Sequence, residues 1–104
     1  MTRSDRLLLD ALERALDGGG LRLVYQPKVA SADGQLVRVE ALVRWHHQEL
    51  GAVPPSRFVP LAEEHGLIDA LTQWVLRTAL RKWREWKAQG LDTAVAVNIS
   101  AVSL

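Results

Sequence analysis

Residues 35–45 constrain this chain more than any other stretch. Val37, Val39, Ala41, Val43 and Trp45 alternate with Arg38, Glu40, Leu42 and Arg44. Successive side chains of a strand point to opposite sides, so a period of two here means a strand with one wholly apolar face and one charged face. The apolar face must lie on a core. Upstream, residues 21–29 repeat the pattern, with Leu21, Leu23 and Tyr25 against Arg22, Val24 and Gln26. Pro27 lacks an N–H and belongs at the end of that strand or on an edge. Ser31, Ala32, Asp33 and Gly34 between the two runs read as a turn, because Asp and Gly tolerate left-handed backbone angles. The two strands are therefore predicted to form a hairpin.

Downstream the period changes. Leu71, Trp74, Val75, Ala79, Trp83 and Trp86 recur at helical spacing. The spacing predicts a helix from a cap at Asp69 to about Gln89, stopped by Gly90. Residues 94–100 return to alternation, Val95, Val97 and Ile99 against Ala96, Asn98 and Ser100. Strand, helix, strand is a βαβ unit, which implies parallel strands and a right-handed crossover. A shorter helix is predicted over Arg57–His65, capped by Ser56 and ended by Gly66, after a loop from His46 to Pro55. At the N-terminus Leu8, Leu12, Ala15 and Leu16 form one stripe of a helix from Asp5 to Leu16, capped by Ser4 and ended by Gly18, Gly19 and Gly20. The last strand has no later partner in the 104 residues and would leave an open edge, so the sheet is expected to be incomplete.

Composition narrows the functions. Hydrophobic residues make up 48% and charged residues 24%, the mixture of a globular domain rather than a disordered chain. There is no cysteine, which excludes disulfide scaffolds, Cys-ligated zinc and thiol catalysis. A net charge of +1 disfavours a general nucleic-acid binder. No apolar run reaches the roughly 20 residues of a membrane span, and no signal or transit peptide is visible. The expectation is a cytoplasmic protein with no membrane contact in this segment.

Glu40, Arg44 and Arg38 share the charged strand face, with Glu40 and Arg44 roughly 13 Å apart along the strand. They would therefore touch different parts of a ligand. Two readings stand: a Glu40–Arg38 surface pair worth at most about 1 kcal/mol, or the lining of a cavity. Asn98 lies near the end of the last strand, where parallel sheets bind ligands, or else it helps to end that strand by bonding the next turn. Glu40 and Asn98 on neighbouring parallel strands offer two oxygen ligands, which suits Mg²⁺ or Mn²⁺ better than zinc. His46, His47 and Glu49 match no zinc spacing and read as loop residues. Arg77, Arg81, Lys82, Arg84 and Lys87 interleave with Trp83 and Trp86. They read as the solvated face of an amphipathic helix with its Trp rings in the core, rather than as a nucleic-acid surface.

A set of short segments resembles one family. Glu40-Ala41-Leu42 followed by Val43-Arg44-Trp45 resembles the signature of EAL domains, the bacterial cyclic-di-GMP phosphodiesterases. Tyr25-Gln26-Pro27-Lys28-Val29 resembles the family's first strand. Glu49-Leu50-Gly51 with Val53-Pro54-Pro55 resembles its ELG…PP loop. Phe58-Val59-Pro60-Leu61-Ala62-Glu63 resembles its F-x-P-x-A-E helix, and Val97-Asn98-Ile99-Ser100 its VN-[LI]-S strand. The matches run in family order over residues 21–104. Gln48 stands where the loop often has Pro, and residues 101–104 follow the family pattern loosely.

The resemblance implies an α/β fold, the first part of a modified (β/α)₈ TIM-like barrel, incomplete in this chain. Residues 1–20 would be an N-terminal helix and glycine linker, and residues 21–104 the N-terminal portion of the domain. It implies hydrolysis of cyclic di-GMP to linear pGpG with two divalent metals, Mg²⁺ or Mn²⁺. Glu40 would be a catalytic metal ligand and Asn98 a second ligand. Arg44 would neutralise a substrate phosphate and Gln26 would hydrogen-bond the dinucleotide. The family's later metal-binding acidic residues and catalytic Lys have no counterpart among these 104 residues, so this chain by itself is expected to be inactive. The alternative is a non-catalytic cyclic-di-GMP-binding or protein-interaction module. Self-association, or a C-terminal half, is the expected partner for the open sheet edge.

Overall fold

The computed structural model describes residues 2–29 and 36–99. The predicted turn at 31–34, the place of Val37 on the apolar face, and Ser100 onward lie outside the described residues. Element order is α1 (Arg3–Gly18), β1 (Leu21–Val29), β2 (Leu36–His47), β3 (Gly51–Val53), α2 (Pro55–Glu64), α3 (Ile68–Ala88) and β4 (Ala94–Val97).

Strand β2 organises the sheet. It pairs antiparallel with β1 along its length, from Leu21 opposite Trp45 to Lys28 opposite Arg38. On its other edge it pairs parallel with β4, Arg38 beside Ala94 through Ala41 beside Val97, and antiparallel with β3, Trp45 opposite Val53. The antiparallel pairing of β1 with β2 and the parallel return of β4 beside β2 are as predicted. The short β3 replaces part of the predicted loop. It forms because His47 Nδ1 accepts the backbone N–H of Glu49 and of Leu50, both at 3.1 Å, which closes a tight turn. Gly51, with φ of 75°, then enters β3 in a conformation that costs a residue with a Cβ.

Three helix starts differ from the sequence reading. Thr2, not Ser4, caps α1, because Thr2 and Asp5 form a reciprocal box: the Asp5 N–H donates to Thr2 Oγ1 at 3.0 Å and the Thr2 N–H to Asp5 Oδ2 at 3.4 Å. Helix α2 starts after Pro54 with Pro55 in its first turn and without a side-chain cap, so Ser56 does not cap. Proline at that position carries no N–H to satisfy. Helix α3 starts after Leu67, which leaves Asp69 inside the first turn, where its charge suits the helix dipole. At the other end of α3, Gly90 N–H donates to Lys87 O at 3.1 Å and Leu91 N–H to Trp86 O at 2.9 Å, a Schellman closure around Gly90 with φ of 86°.

The core lies between the sheet and the helices. Val39, Ala41, Val43 and Trp45 of β2 are buried, as are Leu8 and Leu12 of α1, Phe58, Val59 and Ala62 of α2, and Leu71 and Val75 of α3. The Phe58 ring meets Trp45 edge-on, with centroids 5.3 Å apart and an interplanar angle of 84°. Alternate residues of β2, from Arg38 to Arg44, are exposed or half-buried. The helices thus cover one face of the sheet, and among the described residues nothing buries the other.

Candidate functional site

Register alone places the polar face of the hairpin. Directly opposed residues share a face, so four pairs stand in a row: Arg22 with Arg44, Val24 with Leu42, Gln26 with Glu40, and Lys28 with Arg38. The row is about 20 Å long at the usual rise of a strand. A cationic pair lies at each end. A Gln–Glu pair and an aliphatic pair lie between. Ala96 of β4 sits beside Glu40 on its other flank, and its small side chain leaves the carboxylate room on that side. Asn98 directly follows β4 and is exposed.

Gln26 and Glu40 are therefore cross-strand neighbours, and Arg44 is further along the same strand as Glu40. Arg44 is half-buried and Nη1 donates to the Val43 carbonyl at 3.0 Å, which uses one of its five N–H donors and fixes the guanidinium at this face. Of the two readings of Glu40, the surface pair with Arg38 does not form. Its Oε2 lies 3.5 Å from Lys28 Nζ, across the strands, with the Glu40 side chain 22% and the Lys28 side chain 40% exposed. Residues two apart in one strand hold their side chains side by side, whereas a long side chain on the next strand leans across the diagonal. Lys28 is the residue of this polar face that sequence reasoning missed. The signal was present in the hairpin register, which places Lys28 opposite Arg38 and diagonal to Glu40.

Other groups are occupied elsewhere. His47 Nδ1 holds the turn before β3, and its ring stands edge-on to Trp45 with centroids 6.1 Å apart. Among the described residues, no group of three or more His, Cys, Asp or Glu is arranged to hold a metal ion. The tryptophans of α3 are half-buried rather than fully in the core. Trp86 stacks edge-on against Tyr25 at 5.1 Å, and Trp83 Nε1 donates to the Thr93 carbonyl at 3.1 Å. Lys87 Nζ lies over the Trp83 ring at 4.9 Å and Lys82 pairs with Glu85 at 3.2 Å, so two of the basic residues serve the helix itself. Burial pushes the Tyr25 phenol above its ordinary value, and the Glu85 charge adds to it. At the far end of the molecule, the hydrogen bond from Arg57 at 2.8 Å holds the Asp5 carboxyl below its ordinary range.

An EAL-domain family model matches residues 9–104. The chain belongs to the EAL-domain family. Over 100 residues it is 46% identical to the oxygen sensor protein DosP of Escherichia coli, a match that covers 94% of this chain and 12% of that protein. Over 96 residues it is 46% identical to the bifunctional diguanylate cyclase/cyclic di-GMP phosphodiesterase MucR of Pseudomonas aeruginosa, covering 91% of this chain and 14% of that one. The chain thus spans well under a fifth of these curated relatives. Among solved structures, the c-di-GMP complex of the PaMucR phosphodiesterase superposes with a TM-score of 0.83 at 44% identity, covering 92% of this chain and 39% of that one. The EAL domain of Xanthomonas citri FimX in complex with c-di-GMP gives a TM-score of 0.77 at 29% identity, covering 90% and 36%. The fold is accordingly part of the EAL domain's TIM-like barrel. The family match begins within α1.

Proposed function

We propose that this chain provides the N-terminal portion of a cyclic-di-GMP phosphodiesterase domain acting in bacterial second-messenger signalling in the cytoplasm. Residues 1–20 would lead into it as helix and linker, with residues 21–104 forming that portion. The observation that carries the reading is the row of Gln26, Glu40 and Arg44 on one uncovered sheet face, in a chain whose relatives include a cyclic di-GMP phosphodiesterase and EAL domains in complex with c-di-GMP. Among the described residues no helix is long and apolar enough to cross a membrane.

The chemistry is hydrolysis of one phosphodiester bond. A water oxygen bonds to phosphorus, the bond from phosphorus to the ribose oxygen breaks, the departing oxygen takes up a proton, and linear pGpG results. Arg44 neutralises a phosphate with a planar, permanently charged group, which a lysine would do without the paired N–H geometry. Gln26 hydrogen-bonds the dinucleotide beside it. Glu40 and Asn98 are hard oxygen donors and fit Mg²⁺ or Mn²⁺ in kind. Lys28 shows that the Glu40 carboxylate already attracts a cation on this face. In number the two side chains suit one water-rich ion rather than two. Such an ion, when bound, polarises a phosphoryl oxygen and makes a water more acidic.

Calorimetric titration with cyclic di-GMP tests the reading. Weak binding is expected from a face this open. Arg44→Ala is expected to weaken it about tenfold or more, the loss of one charge-assisted hydrogen bond to phosphate. Sub-micromolar binding indifferent to Arg44→Ala would overturn the placement of the site.

A second reading, a non-catalytic binding or interaction module, is favoured by the β4 side, where Leu76 and Leu80 are exposed beside Val95 and Val97. It predicts self-association visible by light scattering.

A further inference from the structure

The polar face holds four cations and one carboxylate in register, and the carboxylate is in contact with one of the four. Arg22, Lys28, Arg38 and Arg44 flank Glu40, and the ion pair goes to Lys28 at 3.5 Å. Among the described residues no ion pair joins Glu40 to Arg38, although both sit on the same face of β2. A carboxylate can serve an ammonium or a divalent ion, and when both compete for the same oxygens one must give way. Lys28 is well suited to give way. Its side chain is 40% exposed, its stem is long and flexible, and a partly exposed pair of this kind is weak. Its position is also fixed by backbone rather than by chance. Lys28 is the last residue of β1 before the register shifts, with Arg38 directly opposite. Two cations opposed across a hairpin repel one another, and the reach of Lys28 toward Glu40 relieves that repulsion.

We infer that Lys28 is a tethered counter-ion of Glu40 that sets the affinity of this face for divalent cations. This rests on the reading of Glu40 as a metal ligand. Without a divalent ion Lys28 neutralises the carboxylate and holds it in place. A divalent ion binds at the cost of displacing that ammonium. The displaced ammonium stays on its strand beside Gln26, where it can meet a phosphate of the dinucleotide. Lys28 is thereby a positioning residue whose charge lowers metal affinity and adds to phosphate affinity.

The test is titration of the chain with Mn²⁺ alone, read from the loss of the free-ion electron paramagnetic resonance signal. Lys28→Met keeps the length of the stem and removes the charge. It is expected to tighten Mn²⁺ binding by roughly two- to fivefold, the scale of a half-exposed ion pair. Lys28→Gln, checked for folding by circular dichroism, is a second variant with the same expected direction. Arg38→Met removes a charge from the same face without breaking the contact and is expected to change Mn²⁺ affinity less. Glu40→Gln is expected to weaken it. If both Lys28 variants leave Mn²⁺ affinity unchanged while Glu40→Gln weakens it, the inference is wrong and the metal-ligand reading stands. If Arg38→Met matches Lys28→Met, the effect is a general field and the inference also fails. If Glu40→Gln changes nothing, the reading beneath it fails as well.

Discussion

Removing the Phe58 ring should cost this chain a large share of its stability. The ring is 1% exposed and sits edge-on to Trp45 at 5.3 Å, between α2 and the end of β2. Its surroundings cannot easily close a void, since Leu12, Val59, Leu71 and Val75 are themselves fully buried and held by three different helices. Phe→Ala in such a site costs about 3–5 kcal/mol, a figure that already contains the aromatic edge contact of about 0.5–1.5 kcal/mol. Domains of this size have roughly 5–15 kcal/mol in all. Phe58→Ala should therefore lower Tm by about 12–25 °C. Phe58→Leu, which refills most of the volume, should lose far less. Urea unfolding followed by fluorescence of the four tryptophans reports the change. A loss below about 1 kcal/mol for Phe58→Ala at unchanged m-value would refute the argument, because it would mean that the cavity collapses and that Phe58 does not brace Trp45. The polar sheet face has a stake in the result. Trp45 and Arg44 are successive residues on opposite sides of β2, so a strand end loosened on the core side is loosened on the polar side too.

Two further outcomes follow from the same structure. Arg57 holds the Asp5 carboxyl below its ordinary value, with the Thr2 backbone N–H assisting, so the unfolded chain binds that proton more readily than the folded one. The resulting stabilisation is complete above the unfolded pKa and is lost as pH falls through the unfolded value to the lower folded one. Tm measured from about pH 5 down to about pH 2 should fall more steeply in the native chain than in Asp5→Asn, and equal slopes would rule the linkage out. The 104-residue chain by itself should form no linear pGpG with Mg²⁺ or Mn²⁺, because Glu40 and Asn98 suit one water-rich ion where two-metal hydrolysis needs two, and no wider acidic cluster stands among the described residues. Product formation that disappears in Glu40→Ala would show that a second copy completes the site.

The alternation in β2, the hairpin and the parallel return through α3 were legible in the sequence because they depend on local periodicity. A period of two assigns Val39, Ala41, Val43 and Trp45 to one face and Glu40 and Arg44 to the other whatever the strand pairs with. The family segments added the fold, since a barrel cannot be inferred from so few strands alone. Tertiary structure decided the finer matters. Ser4 and Ser56 are sound caps by residue type. Thr2 displaced the first because a reciprocal box satisfies two donors at once, and Pro55 made the second unnecessary. The strand β3 is three residues long and exists through the His47 turn, which has no periodic signature. The partner of Glu40 was the most consequential of these. Arg38 is nearer in sequence, but neighbours along a strand stand parallel at the strand's own repeat, while the hairpin register brings Lys28 across the diagonal into contact. Register is a property of two strands together, fixed by how their apolar faces meet a common core, and no single strand carries it.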